Sequence, residues 1–305
     1  MAYGHTDISA TELANMALDK PLLGANVIPA APTLERWNHE GTVSGADHTA
    51  TGYPIARLHD ADPELLTKPD SALQYWYVVY NFGTTVSVDF CAVGPGHNFG
   101  TVGLTGFWLE FDQNQDGAFS AVDSCPLLSS FPAPDDDRIL QLELKPGGAG
   151  TAQRFLDVQY CRFKMAKVGS TATPQITELF IGARWQAPRW PNMSFNPNNL
   201  NDLSETADPT KGGSIDKIIT AENQLVIDGA EWTLKEDETT DLRAWWKKTR
   251  GSFVWVWLPS TAPASFNLMV RDTDRLDLPY DGWKKTTFTI SGIEQGPESK
   301  YLENE

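Results

Sequence analysis

Long apolar runs are missing from this 305-residue sequence. No stretch approaches the roughly 20 consecutive apolar residues that a membrane-spanning helix needs. The first 20 residues also lack the basic start and the apolar centre of a secretory signal. We therefore expect a protein that is made in a cytoplasm and does not partner a membrane.

Basic residues are scarce relative to acidic ones. The sequence has 24 lysines and arginines against 40 aspartates and glutamates, which gives a formal net charge of −16. Nonspecific affinity for nucleic acid comes mostly from basic side chains that displace counterions. The excess of acid therefore argues against nucleic acid and anionic lipid as partners.

Cysteine and histidine are also few. The three cysteines, Cys91, Cys125 and Cys161, show no CxxC spacing, and we expect reduced, buried thiols, with a disulfide or a reactive thiol as the alternative. The five histidines show no HxxH or HxxxH pairing. They are His5, His39, His48, His59 and His97. The sequence thus predicts no metal site and no cofactor.

Motifs of catalysis are missing as well. The sequence contains no GxSxG nucleophile turn, no phosphate-binding loop and no GxGxxG at the start of a helix. Three consecutive acids, Asp135 to Asp137, follow two prolines and are interpreted as a solvated loop. A glycosidase needs two acids about 5 to 10 Å apart in a cleft, which a sequence does not show. We predict a non-enzymatic protein with no catalytic residues.

Aromatic and β-branched residues, in contrast, are abundant and follow the period of strands. The sequence has 11 tryptophans, 14 phenylalanines and 8 tyrosines. Strands are predicted over residues 75–82, 86–93, 107–111, 140–144, 161–165 and 176–181. Many strands with almost no amphipathic helix predict an all-β fold, with an N-terminal jelly-roll sandwich and a smaller C-terminal β domain that contains one short helix.

Composition divides the chain into five segments. Residues 1–24 are interpreted as an N-terminal arm in which Thr11 caps a short helix; the arm either frays or docks on its own domain or on a neighbouring subunit. The other segments are the jelly roll over 25–186, a connecting loop over 187–213, the C-terminal β domain over 214–296 and a loose tail over 297–305.

Three patterns stand out in the C-terminal domain. Asp228-Gly229 separates two apolar stretches and predicts a two-residue hairpin. Thr240 is the predicted cap of a short helix over 241–248. The run 253–257 is apolar on both faces, so we expect the two tryptophans of that helix to cover it; a subunit interface is the alternative.

Two patterns point to ligands. The spacing from Asp112 to Asp123, with oxygen donors at alternate positions and glycine at the sixth, matches a calcium loop, but no helix flanks it, and a polar hairpin tip is favoured. Trp37 and Tyr53 precede the dense strands, and their flat rings suit the apolar face of a sugar. We predict carbohydrate binding at these two residues; the alternative is that they fill the end of the core.

The order of features from Asn26 to Gly182 resembles the galactose-binding, discoidin-like jelly rolls of phage tail proteins. The matching pieces are Asn26-Val-Ile-Pro29, Tyr77-Val-Val-Tyr-Asn-Phe-Gly83, Val86-Ser-Val-Asp-Phe-Cys-Ala-Val93, Gly96-His-Asn-Phe-Gly100, Trp108-Leu-Glu-Phe-Asp112 and Ile176-Thr-Glu-Leu-Phe-Ile-Gly182. Phe253-Val-Trp-Val-Trp-Leu-Pro259 and Gly282-Trp-Lys-Lys285 look like parts of the small β domains of siphophage distal tail or baseplate proteins. The usual distal tail protein has the two domains in the opposite order.

The resemblance implies a structural component of the phage tail tip. Such a protein resides in the virion and joins the tail tube to the hub through a ring of its own copies. Its implied partners are these copies and the neighbouring tube and hub proteins. Two alternatives stay open: a carbohydrate-binding module that contributes to adsorption on a host-surface glycan, and an accessory module of a carbohydrate-active enzyme.

Overall fold

The structure is a computed structural model, and it describes about two thirds of the chain. The described residues are 5–17, 20–26, 32, 34–39, 45–60, 65–71, 75–104, 106–112, 119, 124–126, 140–142, 144, 153–166, 172–192, 200–206, 217–248, 252–256, 266–271, 276, 278–279 and 285–294.

These residues form an antiparallel β structure with little helix, which confirms the predicted fold class. The strands are β1 His5–Asp7, β2 Leu22–Asn26, β3 Leu34–Asn38, β4 Tyr75–Val88, β5 Phe90–Val93, β6 Gly106–Phe111, β7 Ser124–Pro126, β8 Leu140–Leu142, β9 Gln153–Ala166, β10 Leu179–Gln186, β11 Leu200–Thr206, β12 Lys217–Lys235, β13 Ser252–Val256, β14 Phe266–Arg271 and β15 Lys285–Glu294. The helices are α1 Ala10–Ala17, α2 Phe99–Val102 and α3 Glu238–Lys248, with a 3-10 helix at Ile55–His59.

Two sheets enclose the main core. The first has the order β3-β4-β9-β6-β7, with β1 beside β9, and the second has the order β11-β12-β15-β14-β13-β2-β10-β5-β8. Alternate residues of each strand point to the same side, so one face of the first sheet packs on one face of the second. Trp76, Tyr80 and Phe163 from the first sheet meet Cys91 and Ile181 from the second in one buried cluster.

Strand β2 joins the two halves of the chain. It pairs with β10 along one edge and with β13 along the other, so a single sheet runs from the sandwich into the C-terminal strands. The predicted arm ended at residue 24, yet Leu22 and Leu23 are buried in this central strand. The helix of the arm is capped by Ser9, whose Oγ accepts the Glu12 N–H, and not by Thr11. The division of the chain into separate domains stays a prediction.

A second core lies on the same face of the long sheet. Helix α3 places Trp245 against Phe253 of β13, where the two rings meet edge to face at 6.2 Å, and Trp246 against Phe288 of β15, also at 6.2 Å. The opposite face of β13 carries Val254 and Val256, which are buried with residues of β2, β5 and β10. The described part of this strand is therefore covered on both faces within the chain, as the prediction of internal packing required.

The predicted hairpin at Asp228-Gly229 is wrong. Strand β12 continues through these residues and pairs with β15 on both sides of them, with a register shift between Ile227 and Ala230. Gly229 has a φ of 67° and donates its N–H to Ser291 Oγ. A glycine with positive φ occurs in β-bulges as well as in turns, and Gly229 lies in a bulge.

Two predicted boundaries also differ from the structure. The runs 75–82 and 86–93 are not divided at Gly83, because β4 continues through this glycine, at a φ of 73°, to Val88. Helix α3 begins at Glu238, so Thr240 lies inside the helix. Glu238 instead accepts the Lys235 N–H with Oε2 at 2.8 Å and so ties the first turn to the preceding strand.

We predict that Gly24→Ala destabilises the protein by about 1 to 3 kcal/mol. The new methyl group would overfill the tightly packed site at which β2 connects the sandwich to the C-terminal strands. A Cβ at Gly24 would lie 2.2 Å from the Phe90 ring. Adding Phe90→Leu makes room for it, so the double variant is expected to lose less stability than the two single changes combined. Urea unfolding measures all three variants, and strictly additive losses would contradict the predicted contact.

Candidate binding face

The structure places Trp37 and Tyr53 in different environments. Trp37 is 0 % exposed and its Nε1 donates to Thr67 Oγ1 at 3.0 Å. Its ring therefore fills the core, which is the alternative interpretation given above. Tyr53 is half-buried, and Lys68 Nζ lies 4.1 Å from its ring centroid, so one ring face contacts a cation. Carbohydrate binding at these two residues stays a prediction.

Most of the predicted loop chemistry lies outside the described residues. This applies to residues 113–118 and 120–123 of the calcium-type loop, which include Asp123, and to residues 135–137. Asp112 at the start of the loop is described and is buried. Among the cysteines, Cys91 and Cys161 are buried free thiols, as predicted. Burial raises the pKa of Cys161 well above its ordinary value, so this thiol stays protonated and unreactive.

The outer side of the first sheet carries a group of aromatic residues that the sequence analysis did not single out. In β4, Trp76 and Val78 point into the core, so Tyr75 and Tyr77 point outward. The register places Tyr77 opposite Lys164 of β9 and Lys164 opposite Trp108 of β6. We call the outward side chains of Tyr75, Tyr77, Trp108, Glu110, Arg162 and Lys164 the aromatic face.

Lys164 lies at the centre of this aromatic face. Its Nζ is 4.8 Å from the ring centroid of Trp108, 5.3 Å from that of Tyr75 and 6.0 Å from that of Tyr77. An ammonium within about 6 Å of a ring is attracted by the π electrons. Tyr75 is 41 % exposed, and the other two rings are half-buried. Three aromatic rings thus surround one cation at the surface.

The charges beneath the rings are paired. Glu110 is 3 % exposed; its Oε2 accepts a hydrogen bond from Arg162 Nε, and its Oε1 lies 3.7 Å from Lys164 Nζ. The Arg162 guanidinium also lies 4.7 Å from the Tyr77 ring centroid. Burial raises the pKa of Tyr77 although Arg162 opposes the shift, so its hydroxyl keeps its proton and can donate a hydrogen bond.

A glycine determines how the Trp108 ring lies. An added Cβ at Gly106 would be 2.2 Å from Trp108 Cη2, so the indole rests against the bare backbone two residues before it. Any larger residue at position 106 would push the ring away from the sheet. The indole is therefore held along the surface of the sheet and presents one side outward.

A cleft of about 480 Å³ lies between α1, β10 and α3. Its charged groups bind one another: Arg154 Nε donates to Asp89 Oδ2 at 2.7 Å, and Arg154 Nη2 lies 3.4 Å from Glu12 Oε1. Asp89 Oδ1 accepts the Arg184 N–H at 2.8 Å. These contacts tie α1 to both sheets, which is a structural role.

Three loop residues distant in sequence also meet. His39 Nε2 lies 3.6 Å from Asp70 Oδ1, and His48 Nδ1 lies 3.2 Å from Asp70 Oδ2. Burial and the neighbouring His48 lower the pKa of His39, although Asp70 opposes this. Burial alone would raise the pKa of Asp70, but hydrogen bonds with Ser71 and His48 bring it below its ordinary value. Sequence spacing gives no signal for this cluster.

Comparison with protein-family models and with curated proteins finds no match to this sequence. Solved structures do match. The chitosan-binding module 1 of a chitosanase/glucanase from Paenibacillus sp. IK-5 has 12 % identity and a TM-score of 0.33, over 52 % of this chain and 98 % of the module. CpGH89CBM32-4, produced by Clostridium perfringens, has 12 % identity and a TM-score of 0.32, over 52 % of this chain and 99 % of that one.

A third match is the structure of the CBM32-1, CBM32-2 and M60 catalytic domains of Clostridium perfringens ZmpB. It has 12 % identity and a TM-score of 0.31, over 60 % of this chain and 17 % of that one. At these values the matches carry no inference about a ligand. None of the three is a phage tail or baseplate protein, so the tail-tip assignment gains no support from them. No helix within the described ranges is long and apolar enough to cross a membrane.

We predict that Glu110→Gln lowers the free energy of unfolding by about 3 kcal/mol, because it removes the buried carboxylate that forms an ion pair with the half-buried guanidinium of Arg162. Glu236→Gln, at an exposed acid before α3, is the matched control and should change stability by less than about 0.5 kcal/mol. Urea unfolding measures both. Equal stability of the two variants would show that the ion pair beneath the aromatic face contributes nothing.

Proposed function

We propose that this protein binds carbohydrate through its aromatic face, without turnover. The observation that carries the proposal is the set of three rings, Tyr75, Tyr77 and Trp108, around Lys164 Nζ at the surface of a rigid sheet. The proposal takes up the carbohydrate-binding alternative and moves the site away from Trp37 and Tyr53.

The chemistry of the face suits a sugar. A pyranose has one apolar side of C–H groups, which packs on a flat ring such as the Trp108 indole, and a rim of hydroxyls that needs hydrogen-bond partners. Lys164 and the tyrosine hydroxyls supply donors, and the tyrosine hydroxyl oxygens also supply acceptors. Because the chain has a net charge of −16, a neutral sugar fits better than an acidic one.

Rigidity supports binding at this position. The face is carried by paired strands, and the Glu110–Arg162 pair fixes the charges beneath the rings. Side chains held in place before the ligand arrives lose little freedom on binding. The same pair argues for binding and not for catalysis, since the Glu110 carboxylate is 3 % exposed and already contacts both Arg162 and Lys164, so a substrate has little access to it.

The tail-tip role stays a prediction, together with its ring of copies, its tube and hub partners and its place in a virion. Besides the resemblance, the strand with two apolar faces, β13, left a subunit interface open as an alternative. Its described residues are buried within the chain, so this strand does not require a partner subunit. Carbohydrate binding is independent of that assembly and is compatible with a role in adsorption to a host.

We predict that Trp108→Ala and Tyr75→Ala each weaken binding to neutral oligosaccharides at least tenfold, because each removes a ring on which the sugar packs. Trp190→Ala is the matched control, since Trp190 is 40 % exposed but does not belong to the aromatic face. A glycan array identifies the ligand, and isothermal titration calorimetry then measures the affinities of the three variants.

Two outcomes would contradict the proposal. Silence of the folded wild-type protein on the array would count against carbohydrate binding altogether. Binding that is insensitive to both face variants but lost in Tyr53→Ala would return the site to the loop end that the sequence analysis predicted.

A further inference from the structure

We propose that His39, His48 and Asp70 form a binding site for a divalent transition-metal ion of the zinc type. The three side chains come from three separate segments: the end of β3, the loop before the 3-10 helix and the loop before β4. Their ligand atoms all lie within 4.8 Å of one another. The proposal does not depend on carbohydrate binding.

The distances from Asp70 to the two histidines match the distances between neighbouring ligand atoms around a tetrahedral ion. Zinc binds histidine nitrogen and carboxylate oxygen at about 2.0 to 2.2 Å, which places neighbouring ligands about 3.4 Å apart. Asp70 lies at 3.6 Å from His39 and at 3.2 Å from His48, measured between the nearest nitrogen and oxygen atoms. All three ligand atoms lie within 4.8 Å of one another, so side-chain rotations that shorten the wider separations would bring them onto one ion.

Main-chain hydrogen bonds hold the three segments together. The His48 N–H donates to the Trp37 carbonyl at 2.9 Å, and the Asp70 N–H donates to the His48 carbonyl at 2.8 Å. Trp37 lies two residues before His39 in the chain. Trp76 Nε1 donates a hydrogen bond to the carbonyl of Ser71, next to Asp70, at 3.2 Å. The ligands thus sit on backbone fixed to two buried tryptophans, which makes the site preorganised.

The donor set selects the kind of metal. Two imidazoles and one carboxylate suit zinc and its neighbours in the first transition row, whereas calcium and magnesium prefer oxygen ligands alone. Three protein ligands leave one tetrahedral position for water or for a ligand group, and Asp70 is partly exposed, so an ion can enter.

Ser71 is the expected positioning residue. Its Oγ donates to Asp70 Oδ1 at 2.8 Å and lies 2.9 Å from His39 Nε2. Outer partners of this kind orient a metal ligand, and their loss typically costs about 10- to 100-fold in metal affinity. A purely structural loop contact would not alter metal affinity to this degree.

The test is a titration of the metal-free full chain with Zn²⁺ by isothermal titration calorimetry. We expect saturable binding of one ion per chain, a Tm that rises with Zn²⁺ concentration, and no comparable effect of Mg²⁺ or Ca²⁺. Co²⁺ should give the visible absorption of a tetrahedral nitrogen and oxygen site.

Variants identify the ligands. Asp70→Asn keeps the size of the side chain, and His48→Gln keeps a polar one; each should remove the Zn²⁺-dependent rise in Tm, and Ser71→Ala should weaken binding about tenfold. His59→Gln is the matched control, because His59 lies 2.7 Å from a single acid, Glu35, and outside the cluster. Its Zn²⁺ affinity should equal that of the wild type.

Thermal unfolding without metal verifies that each variant folds. The proposal is overturned if the folded wild-type protein binds no Zn²⁺, or if folded Asp70→Asn and His48→Gln both bind it as well as the wild type does. Equal losses in His59→Gln and in the cluster variants would also overturn it, because they would indicate nonspecific binding to histidine.

Discussion

The structure depends on the pairing of β2 with two strands at once. This five-residue strand accepts β10 on one side and β13 on the other, so the sandwich and the C-terminal strands share one sheet. Close approach explains why its middle residue is Gly24: the Phe90 ring occupies the space of a side chain. Leu22 and Leu23 on either side of the sheet then belong to different buried clusters. One short strand thus belongs to two of the three apolar clusters.

Alternation along the strands of the first sheet produces the candidate site. The positions that point inward, such as Trp76 in β4 and Phe163 in β9, build the core. The positions between them necessarily point outward, and here they are aromatic and charged where solvent-facing positions are usually only polar. The core therefore fixes the register that brings Tyr77, Lys164 and Trp108 into line. The residues proposed for binding therefore all lie on paired strands.

Sequence patterns predicted the parts that depend on local periodicity. The strands around Tyr77, Trp108 and Phe163 follow from alternation, and the packing of α3 against one face of β13, through Trp245, follows from the two apolar faces of that strand. Patterns failed where one motif occurs in two kinds of structure. Asp228-Gly229 fits a hairpin and a bulge equally, and only the pairing of β12 with β15 determines that the bulge forms. They also failed for contacts between distant segments, because nothing near Leu22 shows that β10 and β13 will flank it.

The two candidate sites share a single anchor. Trp76 points into the core from the start of β4, and its indole nitrogen binds the Ser71 carbonyl next to the histidine cluster. Its neighbours along the strand, Tyr75 and Tyr77, point the other way and form the aromatic face. Because a rigid inner residue positions both groups, a metal ion at the loops and a sugar on the sheet would stabilise the same segment of chain.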